Sequence, residues 1–359
     1  MFRNILTTVL MLPSLFIFAE EVQWQEPNGF DQASPNIPKG TVSNVINYPT
    51  SQYGNRQCRV YTPPGYSKTR SEKYPILYLH HGIGGNQDAW TSQNGQAEGN
   101  ADKIMDFLYA QDDLDVVPMV VVMPMGNMTN TSGDAWQNFE AVLMKDLVPY
   151  IEENYNGSSD PDMRAIAGLS MGAGQSLNFG YKNPDFFTWI GGFSPAPNTI
   201  AAAQTIKDMN AVKNNIHLYY FGAGLGSGDG MYLTNARNYH NYLKQQGITE
   251  NLYLQLEPGL NHERNNWNRQ LHQFAQRIFK GITNVAQPQL AVKGPVGIVP
   301  VSIQKVVMSG KDHGMTTWGV HIVRGGADRS AQQIFTLDGR AFISSRNTIN
   351  PASRLRSGN

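Results

Sequence analysis

The stretch Ala165-Ile166-Ala167-Gly168-Leu169-Ser170-Met171-Gly172 decides how this chain is read. Ala165 to Ala167 is a short apolar run suited to a buried strand, and the residues after Gly172 are compatible with a helix. Between them Gly168-Leu169-Ser170-Met171-Gly172 fits the pattern G-x-S-x-G, in which a nucleophilic serine occupies a sharp strand-to-helix turn. The two glycines are needed because side chains at those positions would clash in so tight and strained a turn. A five-residue pattern with three fixed positions arises often by chance, so a surface serine in a Gly-rich loop is the competing reading. Placement directly after a strand favours the nucleophile.

Outward from this turn, from Thr41 to about Gly281, short apolar runs alternate with longer segments of helical period, the pattern of βαβ units. Ile76 to Leu79, Val120 to Met123, Ile216 to Phe221 and Leu252 to Leu256 read as further strands, apolar on both faces. Between Trp136 and Tyr155 the residues Phe139, Val142, Leu143, Leu147, Val148 and Ile151 share one stripe, as a helix covering a sheet requires. Met231 to Gln246, ended by Gly247, and Glu263 to Lys280, ended by Gly281, are two more helices. The expected class is α/β, a mostly parallel central sheet flanked by helices.

A serine hydroxyl needs a base, and the base an orienting acid, in the chain order Ser, Asp/Glu, His for a strand-turn-helix nucleophile. Of the downstream histidines, His217 lies in a strand pattern and His240 and His272 in helix patterns, where packing or a solvated face explains them. His262 follows the strand Leu252 to Leu256 across a short loop and precedes the last core helix, which is where a general base emerges. The loop Gly222 to Gly230 carries a single carboxylate, Asp229, the candidate acid; capping the helix that begins near Met231 is its alternative task. That Gly-rich loop lacks the lysine of a phosphate-binding loop. For the oxyanion, the run His80-His81-Gly82-Ile83-Gly84-Gly85 follows a strand, and the Ile83 and Met171 N–H groups are the expected pair of donors. Vicinal His80 and His81 project to opposite faces of a strand and do not suit one metal ion, so no metal and no cofactor are expected. Trp90, Trp136 and Trp267 are candidates to stack on a substrate ring, with core packing as the alternative.

Composition sets the frame. The chain has 359 residues with 28 Lys+Arg against 28 Asp+Glu, so no global charge draws it to nucleic acid or an anionic membrane. Cys58 stands alone, which excludes an intrachain disulfide framework. Residues 1–19, with Arg3, an apolar run from Ile5 to Phe18 and Ala19 before Glu20-Glu21, read as a signal peptide, which implies a secreted protein, extracellular or periplasmic, with no membrane segment once it is removed. A polar stretch through about Lys39 reads as an extended arm. Residues 285–300, with Pro288, Pro295 and Pro300, read as a linker. Beyond it, 301–359 reads as a small β-type module or tail, with strands at Val301 to Met308, Gly319 to Arg324 and Gln333 to Ile343, the last split by an Asp338-Gly339 turn. From Val285 onward nine Lys/Arg face three Asp, a net of +6 that leaves −6 in the remainder.

The stretch from Gly29 to about Lys280 resembles carbohydrate esterase family 1, the feruloyl and acetylxylan esterases, relatives of the esterase D type of α/β hydrolase. The resemblance is carried by Pro38-Lys39-Gly40, Arg59-Val60-Tyr61-Thr62-Pro63-Pro64-Gly65-Tyr66-Ser67, Tyr78 to Gly85 with Trp90, and Ala165 to Gly172 running on to Gly174-Gln175-Ser176. Ser194, Ala196-Pro197-Asn198-Thr199, and His262 followed by Trp267 complete it. It implies an α/β-hydrolase fold for residues 20–284, with Ser170 as nucleophile, His262 as base, Asp229 as acid and the Ile83 and Met171 amides as oxyanion hole. The acid loop is longer than the family's usual Gly-x-x-Asp turn. The basic C-terminal part is similar to terminal modules of secreted fibre-degrading bacterial enzymes.

The function so implied is a serine esterase acting on plant cell-wall polysaccharide, with feruloyl esters of arabinoxylan as the first expectation and acetylated xylan as the second. A non-catalytic carbohydrate-binding protein on a hydrolase scaffold is the alternative of another class. A lipase would be expected to carry a long apolar lid insertion, which the sequence lacks.

Overall fold

The computed structural model describes residues 20–91, 98–128 and 135–281, and four strands farther on at 301–304, 320–324, 332–335 and 341–344. The expected signal peptide, the linker and the Asp338-Gly339 turn lie outside the described residues. The chain divides into two compact units, Met1–Lys293 and Gly294–Asn359.

The first unit is built on one ten-stranded sheet. In chain order its strands are β1 (Glu20–Val22), β2 (Thr41–Val42), β3 (Ile46–Thr50), β4 (Gly54–Thr62), β5 (Ile76–His80), β6 (Val120–Pro124), β7 (Arg164–Leu169), β8 (Trp189–Phe193), β9 (Leu218–Gly224) and β10 (Leu252–Glu257). They are ordered β1-β10-β9-β8-β7-β5-β6-β4-β2, with β3 also paired to β4. From β1 to β6 every neighbouring pair is parallel, and β4 joins β6, β2 and β3 antiparallel. The chain leaves β5 for β6 on one side and returns to lay β7 on the other. The carboxyl ends of β5 and β7 therefore flank the switch point at which open α/β sheets hold their ligands.

The period of two along the strands sends alternate residues to two apolar layers. Ile76, Tyr78, Val120, Val122 and Ile166 join one layer. Leu77, Leu79, Val121, Ala165, Ala167 and Leu169 join the other. Helices α4 (Met171–Lys182) and α7 (Gly230–Gln245), with α2 (Phe139–Val142) and α3 (Val148–Asn154), cover the first layer through Leu177, Phe179, Tyr239, Leu243, Phe139 and Val148. Helices α1 (Ala101–Tyr109) and α8 (Arg264–Ala275) cover the second through Ile104, Leu108, Leu271 and Phe274. Two short helices, α5 (Ala202–Thr205) and α6 (Met209–Asn215), lie between β8 and β9. This is the α/β-hydrolase architecture that the sequence predicts.

Three details depart from the sequence reading. The helix expected over Trp136 to Tyr155 is interrupted by a π turn, Leu143–Leu147, just before Pro149, whose ring nitrogen has no proton to continue the ladder. Strand β8 was hidden by Gly191-Gly192, which break its apolar pattern. A Cβ at Gly191 would stand 2.9 Å from Phe274, and one at Gly192 would stand 3.0 Å from Leu177, so helices press on the sheet from both faces at that point. The polar arm is not merely extended: it supplies β1 at the sheet edge. Farther along it, Gln273 donates to Glu26 at 2.7 Å and Asn268 to Asp31 at 2.8 Å, while Glu26 also pairs with His272.

Among the described residues of the second unit are four antiparallel strands in chain order, β11 (Val301–Gln304), β12 (Val320–Arg324), β13 (Gln332–Phe335) and β14 (Ala341–Ser344). β13 and β14 pair with Phe335 opposite Ala341, on either side of the residues that include Asp338-Gly339.

Candidate active site

Ser170 sits between β7 and α4 with φ 53° and ψ −118°, a backbone conformation that L-residues avoid and that costs on the order of 1–3 kcal/mol. Its N–H donates to the Phe193 carbonyl at 2.9 Å, and its own carbonyl accepts from Gly174 and Ala196, both at 3.1 Å. The strain is thus held from two neighbouring elements. The glycines around it are required by close approach. A Cβ at Gly172 would lie 2.4 Å from the His81 carbonyl oxygen, so the loop after β5 rests directly on the first turn of α4. A Cβ at Gly82 would lie 3.2 Å from that of Ser170.

Three residues far apart in sequence form one line. The His262 Nε2 is 2.9 Å from the Ser170 hydroxyl, and its Nδ1 is 2.8 Å from Asp229 Oδ1. Asp229 is fully buried, and its second oxygen accepts from the Ser194 hydroxyl at 2.9 Å, the Gly224 N–H at 2.5 Å and the Asn266 amide at 3.1 Å. With every direction around that oxygen taken, Oδ1 is left for imidazole, and the Nδ1–H tautomer follows from a buried carboxylate that can only accept. The short turn Ser227–Asp229 between β9 and α7 delivers the acid. His262 is enclosed on two sides by Tyr232, ring to ring at 3.6 Å and 16°, and by Trp267, edge-on at 4.9 Å and 85°.

Among the described residues, neither the Ile83 N–H nor the Met171 N–H donates to another group. Met171 opens α4, where the amides are unpaired and the helix dipole favours negative charge. The neighbouring Gly82 N–H is occupied, donating to Glu98 at 2.8 Å. His81 braces the same loop: its Nε2 accepts from the Gly126 N–H at 3.1 Å, so Nδ1 carries the proton and donates to the Gly82 carbonyl at 2.7 Å. His80 and His81 are both buried, and desolvation pushes each down to about 4, which keeps them uncharged at neutral pH.

The three tryptophans separate. Trp90 does not face the site: it is 1 % exposed, donates to the His80 carbonyl at 2.9 Å and packs edge-on against Phe193. The stacking expectation is corrected there, because no face of that ring is open. Trp136 meets His81 edge-on at 5.8 Å, and Trp267 meets His262. Nothing in residue type or spacing marks Ser194, Asn266, Tyr232 or Glu98 for a role in the site. Ser194 has a positive φ of 49° although it is not glycine, a strain that a sequence does not display.

A family model described as "Putative esterase" matches residues 51–278. An endo-1,4-beta-xylanase/feruloyl esterase of Xylanibacter ruminicola is 33 % identical over 255 residues, which are 68 % of this chain and 32 % of that one. The chain spans about a third of the length of the first curated relatives it matches. Among solved structures, a family 1 ferulic acid esterase from Anaeromyces mucronatus in complex with ferulic acid aligns with a TM-score of 0.59 at 20 % identity, covering 72 % of this chain and 98 % of its own. A point mutant of the feruloyl esterase module from Clostridium thermocellum, complexed with sinapinate, gives 0.59 at 19 % identity, with 74 % and 96 % covered. At these identities the two solved structures support the fold.

Proposed function

The chain belongs to the esterase family, as a carboxylic ester hydrolase of the α/β-hydrolase fold, and on that premise we propose that it releases ferulate from plant cell-wall arabinoxylan by an acyl-enzyme route. The observation that carries the route is the unbroken relay from the Ser170 hydroxyl through His262 to buried Asp229. In the first half, His262 Nε2 takes the Ser170 proton as the oxygen attacks the ester carbonyl. The negative charge that develops falls to the Ile83 and Met171 amides. The imidazolium then gives its proton to the departing sugar oxygen. In the second half, water loses a proton to His262 and attacks the acyl-serine, and the imidazolium returns that proton to the Ser170 oxygen as its bond to the acyl group breaks, which frees ferulic acid and restores the hydroxyl. Asp229 remains a carboxylate throughout, holding the Nδ1–H tautomer and offsetting the charge on the ring.

A hydroxycinnamoyl rather than an acetyl group is favoured by exposed apolar side chains next in sequence to the site residues. Ile83, Leu225 and Met231 are 72, 40 and 58 % exposed; Ile83 carries the oxyanion amide, Leu225 is on the loop that leads to the acid, and Met231 is in the first turn of α7 beside Tyr232. The relatives named above for feruloyl, ferulic acid and sinapinate chemistry point the same way. Residues 1–19 suit export, and the basic stretch 301–359 suits a separate module on a secreted enzyme.

Ser170→Ala tests the route. Loss of nearly all turnover of methyl ferulate, and of labelling by a serine-directed phosphonate, is expected with the melting temperature retained. Unchanged turnover would reject the acyl-enzyme. Acetate release from acetylated xylan exceeding ferulate release would reassign the acyl group.

A further inference from the structure

Glu98 lies beside the nucleophile without a part in the relay. Its Oε2 accepts the Gly82 N–H at 2.8 Å, and its own N–H and that of Gly99 donate to the Ala89 carbonyl at 2.7 and 3.1 Å, so both its ends are held. The turn it grips is closed by the Gly85 N–H on the Gly82 carbonyl at 3.2 Å and pinned by His81. There is no slack between acid and turn. A Cβ at Gly85 would stand 2.8 and 3.0 Å from the two carboxylate oxygens, and one at Gly82 would stand 3.3 Å from Oε1.

Two successive amides follow His81, and only one can serve an oxyanion. The Gly82 N–H is spent on Glu98, while the Ile83 N–H donates to no group among the described residues. The Ile83 N–H shares its planar peptide with the Gly82 carbonyl, which the Gly85 N–H and His81 Nδ1 hold, and Glu98 fixes the preceding peptide through the Gly82 N–H, so both planes that set its direction are anchored. A carboxylate this close to a developing oxyanion would oppose it were its charge free. Here the Gly82 amide draws on that charge, and the imidazolium forming at His262 attracts it. Burial is the larger influence and raises the Glu98 carboxyl above its ordinary range, favouring the neutral acid, while the Gly82 amide and His262 pull the other way by favouring the charge.

We propose that Glu98 is a positioning residue for the oxyanion loop: by holding the Gly82 N–H it fixes the Gly82–Gly85 turn so that the Ile83 N–H meets the reacting carbonyl oxygen. This rests on the acyl-enzyme reading of Ser170. The essential feature is an acceptor at the right reach, not a charge.

The experiment is a three-variant series in the full chain with methyl ferulate. Glu98→Ala and Glu98→Asp both lose the acceptor at that reach, and each should lower kcat about 10²-fold with KM changed little, as expected when a reacting group is misplaced by about 1 Å. Glu98→Gln keeps an acceptor oxygen at the same reach and should restore most of kcat at pH 7. Phosphonate labelling of Ser170 should slow in parallel with kcat, since that reaction also places an oxygen in the hole. Glu98→Asp more active than Glu98→Gln would show that charge matters and overturn the proposal. A rise in KM with kcat retained would make Glu98 a substrate ligand and overturn it too. Failure of the wild type to be labelled at Ser170 would instead strike the underlying reading, so the two failures are distinguishable.

Discussion

Tyr232 lies flat against His262, its ring centroid 3.6 Å from that of the imidazole and the planes 16° apart. Tyr232 is on α7, the helix that starts at Gly230, directly after Asp229, so the acid and the stacking ring reach the base from one short stretch of chain. An aromatic face favours a cation by about 0.5–2 kcal/mol, and His262 becomes a cation only as the reaction proceeds. Tyr232→Ala should therefore lower kcat/KM by about 2- to 30-fold. Tyr232→Phe, which keeps the face, should stay near wild type. Equal losses in both variants would assign the effect to the hydroxyl.

Asn266 is a fully buried support of the acid. Its amide reaches Asp229 Oδ2, the Ser194 hydroxyl and the Asn261 carbonyl, and its own oxygen accepts from Gln270. Asn266→Ala removes one of three donors to Asp229 Oδ2 and takes from the buried Gln270 amide its acceptor on Asn266, and should cost about 1–3 kcal/mol in chemical denaturation. Asn266→Asp sets a second carboxyl against Asp229. Its kcat/KM at pH 8 should fall below that of the alanine variant and recover partly on acidification; a flat ratio between the two variants across pH would refute the electrostatic account.

Gly172→Ala reverses the usual helix preference. Within an open helix this change gains about 1 kcal/mol. Here the new carbon would meet the His81 carbonyl oxygen at 2.4 Å and must push the loop that carries Gly82 and Ile83. A lower melting temperature together with at least a tenfold loss of kcat is the expected outcome. Gly230→Ala is the control, since a Cβ there meets nothing within 4 Å and φ is −58°, and it should raise stability by about 0.4–1 kcal/mol.

Acid should destabilise the fold through His80 and His81. Their pKa falls from 6.5 to about 4 on folding, so between these values the unfolded chain binds protons that the folded chain refuses. Stability then drops as pH falls through that window, by at most about 1.4 kcal/mol per pH unit for each histidine. Buried Glu257 acts in the opposite sense. Burial raises it from 4.5 to about 7, so the folded chain binds the extra proton and gains stability as pH falls from 7 to 4.5. Urea denaturation at pH 7, 5.5 and 4.5 should show a net loss, steeper in Glu257→Gln. Imidazole NMR shifts of His80 and His81 that titrate near 6.5 in the folded protein would contradict the account.

The sequence made the relay legible through position in the chain. Ser170 is marked by glycines that the turn demands, His262 by standing between a strand and a helix, and Asp229 by being the sole carboxylate of its loop; the fold brings these three side chains within hydrogen-bond reach. What surrounds them was not legible. Asn266 and Tyr232 sit on amphipathic helices, where any polar or aromatic residue reads as a packing choice, and Ser194 follows a strand that glycines concealed. Glu98 acts through a backbone amide, and a backbone partner leaves no residue type to recognise. The docking of the arm was hidden for a related reason: its carboxylates find partners more than two hundred positions away.

That long reach has a consequence during synthesis. Residues 20–22 pair with 253–255, and Glu26 and Asp31 are held by residues of α8. β1 therefore stays unpaired until β10 has been made, and the growing sheet keeps a bare edge until the ribosome has released almost the whole catalytic unit. A segment made among the first must wait for one made among the last, and such distant pairings form slowly. During that interval the exposed edge is the surface on which a nascent molecule is most open to a chaperone or to a wrong neighbour.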